Sequence, residues 1–593
     1  MCGIVGAVGI DNPREYAIDG LKMLEYRGYD SAGVGFLRNG IELVKDIGSP
    51  SHLDEILPKS IDTKIIIGHT RWATHGMPSK DNSHPHISMN KNIALVHNGV
   101  IENFVELRDF LKSNGYKFYS QTDTEVIANL LEYLYLQNKD MFECLKKLKE
   151  KLEGSYALAI INKDYPDTLF MLKKASPFLI GKGKGFNMIA SDASPMVKYT
   201  DEFIELDDYD YGYIKKDEIK IFNKENIEVD KKIIKKDAET FSHDLKGYPH
   251  YMLKEIEEID EVIKRLISIY FEDHEYQFDK KLIKDLKESD HIIFLGCGTS
   301  YHASLVGGRL FENFNNISTT KYIASEWAFH PTFPGERPFV VLISQSGETA
   351  DLIHCLKIIR EKGVPTLLIT NTAGSTLSRG VTYTLLLHAG VEVSVASTKA
   401  YAAQVALLAL ISGAINNDKK VADDLKDTIH IIEYIKHNFK EKIQKIADEI
   451  KDHQNIFYLG RSFDYFLSLE ASLKLKEISY IHSEAIPGGE LKHGPIALVN
   501  EGLPVIVFIT DPCTASSMRG NIEEVKSRGA KVFVISTKEL SRSTDSLVVG
   551  NYAYYLSGVA VSSIAFYLAY YVSLKKGYNV DKPRNLAKSV TVE

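Results

Sequence analysis

Cysteine is scarce, with five in 593 residues, at positions 2, 144, 297, 355 and 513. They form no CxxC pair and are too few and too scattered for a disulfide framework, which fits a reducing compartment. Excess positive charge is also missing. The net charge is -8, so attraction to nucleic acid is not expected, and the cluster Lys231-Lys232-Ile233-Ile234-Lys235-Lys236 lies among acidic neighbours as a solvated linker face. No GxxxxGK[ST] loop for a nucleoside triphosphate is present. The tightest histidine pair, His84-Pro85-His86, has no third ligand at zinc spacing, so neither a metal nor a cofactor is expected. The first residues lack a basic segment followed by a long apolar one, and a cytoplasmic protein is expected. Two apolar stretches, Ala400 to Ala414 and Tyr554 to Leu574, approach the length of a membrane span. Ser, Gln or several Tyr interrupt them, so they are expected to be buried core helices, with no membrane partner.

At 593 residues, 44% of them hydrophobic and 25% charged, the chain is long enough for three or four domains and too apolar for a long disordered tract. Residues 1 to about 220 predict a β-rich domain with two helical stretches, from runs such as Lys64 to Gly68 and Ile93 to His97. A charged segment from about 221 to 245 predicts a linker, and the spacing of Ile256, Ile259, Ile263, Leu266 and Ile269 predicts a helix over Met252 to Phe271. Beyond it a pattern of strand, Gly/Ser turn and helix occurs twice, starting at His291-Ile-Ile-Phe-Leu295-Gly296 and Asn455-Ile-Phe-Tyr-Leu459-Gly460. Leu295 and Leu459 stand 164 residues apart, Gly363 and Gly529 166 apart. Such constant offsets predict an internal duplication of a doubly wound α/β domain.

Cys2 combines a thiol with, once Met1 is removed, an α-amino group of pKa about 7.7 to 8.0 that can take its proton. A small buried hydrophobe is the plain alternative. Three Ser/Thr turns occupy the first repeat: Gly298-Thr299-Ser300, Ser344-Gln345-Ser346-Gly347-Glu348-Thr349 and Val395-Ala396-Ser397-Thr398. At the ends of buried strands, with helices following, their N–H groups and hydroxyls suit a phosphate. Ordinary helix capping uses the same residues, yet three turns in one module point to a phosphorylated small molecule as ligand, with Thr299, Ser300, Ser344, Gln345, Ser346, Thr349, Ala396 and Ser397 as its contacts.

This module resembles the sugar isomerase (SIS) domain, and its tandem copy with the Cys2 domain is similar to the glutamine–fructose-6-phosphate aminotransferase family. The matching residues span the chain: Cys2-Gly3-Ile4-Val5-Gly6, Tyr26-Arg27-Gly28-Tyr29-Asp30-Ser31, His69-Thr70-Arg71-Trp72-Ala73-Thr74-His75-Gly76, His97-Asn98-Gly99, Thr122-Asp123-Thr124-Glu125, Ser344 to Thr349, Glu490-Leu491-Lys492-His493-Gly494-Pro495 and Asn585 to Glu593. The resemblance implies an α/β multidomain chain in which an N-terminal nucleophile glutaminase α/β-β-α sandwich is followed by two tandem doubly wound SIS domains. The expected boundaries are 2–220 for the class II glutamine amidotransferase domain and 221–281 for linker and connecting helix. They continue with 282–422 and 446–583 for the two SIS domains and 584–593 for a C-terminal catalytic tail.

Glutamine and fructose 6-phosphate are then the implied substrates, glucosamine 6-phosphate and glutamate the products, and a homodimer the implied assembly. Cys2 is the implied nucleophile, with the Asn98 side chain and the Gly99 N–H as oxyanion donors, although Asn-Gly also predicts a tight turn, which could itself present them. Arg71 is expected to hold glutamine's α-carboxylate and Asp123 its α-ammonium, the alternative being an ion pair. Trp72, Thr74 and His75 would cover the bound amino acid. On the sugar side Lys588 is the implied imine-forming lysine and Glu477 the group moving a proton from C1 to C2. Lys474 would assist on the same helix face, and His493 would serve ring opening from a neighbouring subunit. Without the resemblance, Lys474 and Glu477 predict an exposed ion-pair helix and Lys588 a solvated tail charge. Ala485-Ile486-Pro487-Gly488-Gly489 departs from the alanine-richer loop expected in bacterial relatives, which affects backbone freedom near His493. Two-site chemistry further implies an internal ammonia channel. Other Cys2 amidotransferases would carry a pyrophosphate or ATP loop, and a sugar-phosphate regulator would lack Cys2, Glu477 or Lys588 and carry a DNA-reading helix-turn-helix; neither pattern is present.

Overall fold

The computed structural model describes residues 2–72, 76–235 and 245–590. Two compact units result, one built from residues up to 243 together with the tail from Ala587, the other from Asp244 to Leu586.

The first unit stacks four layers. An eight-stranded sheet, with Gly3–Val8 and Ile65–Arg71 side by side at its centre, faces a six-stranded sheet containing Ile93–Ile101 and Gly154–Asn162. Helices Pro13–Met23 and Pro50–Ile56 cover the first sheet, while Phe104–Ser113, Asp123–Asn138 and Met141–Lys151 cover the second. Among the described residues, five α-helices thus replace the two helical stretches expected. The strands read as unbroken apolar runs because both faces are buried, so period-two alternation is between two cores and not between core and water. Ile4, Ile65, Ile67, Ala94, Val96, Ala157 and Ala159 point into the layer between the sheets. Val5, Ala7 and Ile66 point to the first helical layer, and Ile93, Leu95, Tyr156 and Leu158 to the second. A side chain's parity along its strand therefore decides which layer it enters. The expected linker is sheet over part of its length: Ile219–Phe222 pairs with Tyr211–Ile214, and Ile233–Lys235 with Glu202–Glu205. Alternate apolar residues there complete the sheet edges despite the high charge, and Lys231 bridges Asp207 and Asp210.

The second unit contains two five-stranded, wholly parallel sheets of identical order. In the first, Ser318–Ile323, His291–Gly296, Pro338–Ile343, Thr366–Thr370 and Tyr383–Leu386 lie side by side in that order. In the second the order is His482–Pro487, Asn455–Gly460, Pro504–Ile509, Lys531–Thr537 and Leu547–Val549. Both are doubly wound, as the duplicated pattern predicts. Met252 to Phe271 forms two helices, Tyr251–Glu257 and Ile259–Tyr270. They join Thr299–Asn315, Lys399–Asn416, Phe463–Ser479 and Ser562–Lys575 in one core shared by both repeats. The two apolar stretches fall in Lys399–Asn416 and Tyr554–Lys575; 89% and 100% of their most apolar windows are buried inside the protein, as core helices should be.

Candidate active sites

Strand register builds the first site. Gly3 pairs with Thr70 and Ile4 with His69, so the antiparallel ladder, extended by one step, brings Cys2 beside the end of the Ile65–Arg71 strand. There the Trp72 N–H donates to the Cys2 Sγ at 3.1 Å. Burial pushes the Cys2 thiol up from its usual range, opposed by the charged amino terminus, the Trp72 N–H and Arg71. Thr70 Oγ1 accepts from the Gly3 N–H at 3.2 Å, which pins the strand carrying the thiol.

Asn98 belongs to the facing sheet and has the parity of Ala94 and Val96, so it enters the layer between the sheets. Its Nδ2 donates to the Cys2 carbonyl at 2.8 Å, and its Oδ1 lies 3.0 Å from His69 Nε2. The expected Asn-Gly turn is absent: Asn98 and Gly99 sit inside the nine-residue strand Ile93–Ile101, paired with Ala157 and Tyr156. Gly99 is needed for another reason. Its φ is +134°, and a Cβ would meet the Ser155 carbonyl oxygen at 2.1 Å.

Arg71 is buried at the end of its strand and donates to the Gly76 carbonyl at 3.1 Å; burial lowers its pKa. Asp123 opens the helix Asp123–Asn138, which Thr122 caps. Thr122 Oγ1 accepts from the Glu125 N–H, and the Glu125 carboxylate accepts from the N–H groups of Tyr119 and Ser120. Held there, Asp123 accepts from the Ile101 N–H at 2.9 Å, two residues along the strand from Gly99. Trp72 is half-buried, its ring edge-on to Tyr29 at 5.8 Å. Thr74 and His75 lie outside the described residues.

In the second unit two of the Ser/Thr turns lie at the carboxyl edge of the first parallel sheet, and all three precede helices. Ser344 Oγ lies 2.9 Å from Thr349 Oγ1 and accepts from the Gly347 N–H at 3.0 Å, while Ser346 Oγ accepts from the Glu348 N–H at 3.2 Å. Gln345 contributes its carbonyl to the Asn371 N–H at 2.9 Å. Ser300 is buried, with Gln404 Nε2 donating to its hydroxyl at 3.1 Å. The third turn differs: Glu392 accepts from Ser397 Oγ and from the N–H groups of Thr398 and Ala400 at 2.8, 2.9 and 3.1 Å, and Ala396 is buried. That helix N-terminus already carries an anion of the chain's own, so the phosphate expectation rests on the other two turns.

Lys474 and Glu477 do not form the exposed pair that their helix alone suggests. The Lys474 side chain is 1% exposed, and its Nζ lies 2.6 Å from Glu477 Oε2 and 3.5 Å from Glu470 Oε1. Burial pulls the Lys474 pKa down, but the two carboxylates outweigh it and the net shift is upward. Thr299 closes the cluster by accepting from Lys474 at 3.1 Å and donating to Glu470 at 3.0 Å; His302 Nδ1 is 2.7 Å from Glu470 Oε2. Residues of the first repeat's leading helix thus meet residues of the second's. Sequence reasoning did not single out Glu470, His302 or Glu392. A signal existed for two of them: Glu470, Lys474 and Glu477 fall at i, i+4 and i+7, and His302 follows Thr299 by three.

His493 is exposed at the end of the short helix Glu490–His493. The loop before it is packed: the Gly488 N–H donates to the Gly460 carbonyl at 3.0 Å, and a Cβ on Gly488 would meet Asn521 Oδ1 at 2.6 Å. Gly488 therefore serves close approach and not freedom. Lys588 is half-buried in the tail grouped with the first unit. Among the described residues no three His, Cys, Asp or Glu side chains converge as metal ligands would.

A family model described as a glutamine amidotransferase domain matches residues 69–197, and one described as a SIS domain matches 285–412 and 449–549. A solved C-terminal domain of glucosamine-fructose-6-phosphate aminotransferase from Francisella tularensis is 32% identical, with a TM-score of 0.54, covering 57% of this chain and all of that one. Fold and sites together define a glutamine amidotransferase domain joined to a tandem pair of SIS domains. Curated glutamine–fructose-6-phosphate aminotransferases (isomerizing) from Streptococcus pneumoniae and Staphylococcus aureus are 42% and 44% identical over 605 and 607 residues, covering 100% of each chain. The chain belongs to the glutamine–fructose-6-phosphate aminotransferase family.

Proposed function

We propose that this enzyme moves the amide nitrogen of glutamine to fructose 6-phosphate and isomerises the product to glucosamine 6-phosphate, releasing glutamate, as the first step toward UDP-N-acetylglucosamine. The observation that carries this reading is the seating of Cys2: a thiol at the second position, its sulfur accepting the Trp72 N–H and its carbonyl accepting the Asn98 amide. A buried thiol of raised pKa needs a base at the moment of attack, and the α-amino group freed by removal of Met1 supplies one on the same residue. As the glutamine carbonyl turns tetrahedral, the second Asn98 N–H and the Gly99 N–H receive its oxygen, a contribution of roughly 10²- to 10³-fold per donor. Arg71 takes the α-carboxylate and Asp123 the α-ammonium.

In the second unit Ser344, Gln345, Ser346, Thr349, Thr299 and Ser300 receive the sugar phosphate. Ala396 and Ser397 border it beside Glu392. Lys588 forms an imine at C2, so the amine is introduced without pyridoxal phosphate. Glu477, with its charge balanced by Lys474, carries the proton from C1 to C2, and His493 of a second subunit opens the ring. The working enzyme is a cytoplasmic homodimer. The test follows glutamate and glucosamine 6-phosphate in parallel from glutamine and fructose 6-phosphate, for untagged wild type and Cys2→Ala. Both products from the wild type and neither from the variant are expected; glutamate without amino sugar from the wild type overturns the acceptor assignment.

A further inference from the structure

His69 is fully buried next to Asn98, and neither the expected mechanism nor the sequence motif gives it a task. We propose that His69 is a positioning residue for glutamine hydrolysis, whose Nε2–H holds the Asn98 side-chain amide with its nitrogen toward Cys2. This inference rests on Asn98 acting as an oxyanion donor. The two ends of a carboxamide have nearly the same shape, so only their partners decide which way it points. At one end stands the Cys2 carbonyl, an obligate acceptor, 2.8 Å from Asn98 Nδ2. At the other stands His69 Nε2, 3.0 Å from Asn98 Oδ1 and also 3.0 Å from the His97 carbonyl. A backbone carbonyl only accepts, so the proton of the neutral imidazole sits on Nε2, and Nε2 in turn calls for the oxygen of Asn98 and not its nitrogen.

The neighbours keep that tautomer and charge state. Burial pushes the His69 pKa down to about 3, leaving the ring neutral at physiological pH. His69 Nδ1 is buried without a hydrogen-bond partner, as an unprotonated nitrogen there can be. His84 stacks on the ring with centroids 4.0 Å apart and planes 19° apart, fixing its rotation. His84 Nδ1 also accepts from the His97 N–H at 3.3 Å, so the residue preceding Asn98 is gripped through its N–H by one imidazole and through its carbonyl by the other. Strand parity explains the meeting: His69 has the parity of Ile65 and Ile67, Asn98 that of Ala94 and Val96, and all point into the layer between the two sheets.

Three variants separate hydrogen-bond donation from filling space. In Gln the side-chain nitrogen lies as many bonds from Cα as His Nε2, Asn falls one atom short, and Met fills the volume with no donor. Full-length protein is assayed for glutamate release. His69→Met and His69→Asn are expected to lose roughly tenfold to a hundredfold in kcat, part of what loss of a whole oxyanion donor costs, with KM within about twofold. His69→Gln is expected within about fivefold of wild type. A wild-type rate of Cys2 alkylation by iodoacetamide in each variant, followed on the Cys2 peptide because Cys513 is also exposed, reports that the thiol remains seated. If Met does not fold, the contrast between Gln and Asn decides. Wild-type kcat in Asn or Met, or equal losses in Gln and Asn, overturns the role of His69. Absence of glutamate release from the wild type overturns instead the glutaminase reading beneath it.

Discussion

Replacing Lys474 with Met is expected to destabilise the second unit by about 3 to 5 kcal/mol at pH 7, the range for removing one partner of a buried ion pair. Met is unbranched and of comparable reach, so little of that comes from a cavity. What is lost is the contact with Glu477 at 2.6 Å, the contact with Glu470 at 3.5 Å and the hydrogen bond to Thr299 at 3.1 Å. Glu470, with a side chain 0% exposed, then loses its lysine partner and keeps its contacts with Thr299 and His302. The sign follows from the shift of the lysine. Its folded-state pKa is raised, so its pairing contributes fully below the unfolded value of about 10.5 and is lost only as pH rises through the folded one; pH 7 lies well inside the window. Two tryptophans, one per unit, make the measurement selective. In a Trp72→Phe background the fluorescence of Trp327, 2% exposed in the second unit, reports unfolding of that unit alone. With a urea slope of about 3 kcal/mol/M the midpoint should fall by about 1 to 2 M, and adding Glu470→Gln should restore at least half of the loss. A Met variant unfolding within about 0.2 M of its parent, or no recovery in the double variant, would refute the argument that an uncompensated buried charge is the cause.

Three further outcomes are expected. Gly99→Ala should abolish measurable glutamate release, since its Cβ would meet the Ser155 carbonyl at 2.1 Å in a backbone conformation that Ala resists; a variant with at least a tenth of wild-type kcat contradicts that clash. Glu477→Gln should stop glucosamine 6-phosphate formation while glutamate release continues, and loss of both would place Glu477 outside sugar chemistry. Burial pushes Asp464 up to about 6, against donors on Thr510 and Asp511. The folded protein then holds a proton that the unfolded chain has released between about pH 4 and pH 6, so stability falls as pH rises through that window, by about 3 kcal/mol in all. Asp464→Asn should flatten this slope in Trp327 unfolding, and an unchanged slope would show that another group sets it.

The parts of the fold that the sequence makes legible rest on local patterns. Buried strands ending in Gly or Ser before a helix mark the parallel sheets, and the near-constant offset between the halves marks their duplication. Ile456 to Leu459 and Ile292 to Leu295 need no partner to be recognised as core strands. In the first unit the apolar runs mark the strands but not which face of each is inside, because both faces are buried, and helices such as Met141–Lys151 are missed because they are short and highly charged. Asn98-Gly99 shows the limit of turn chemistry. The dipeptide is a strong hairpin signal, yet here a close carbonyl neighbour and not a chain reversal requires the glycine.

Cys2, Arg71, Asp123, Ser344 to Thr349, Lys474, Glu477 and Lys588 stand out as candidates from residue type and spacing taken with the family resemblance, because a nucleophile, an ion-pairing group or an anion turn would need particular side chains. What those groups experience is decided elsewhere in the chain. Lys474 is a solvated helix charge by sequence and a 1% exposed ion by structure, because Thr299, 175 residues away, and the shared core of the two repeats close over it. The Val395 to Thr398 turn looks open until Glu392 folds onto its amides. His69 reaches Asn98 only because two strands from different sheets place the same parity in one layer. The sequence by itself determined the chemical inventory and the repeated topology, since both are written in local order. Only the tertiary structure decided charge, burial and orientation, since those depend on neighbours that the chain brings together from far apart.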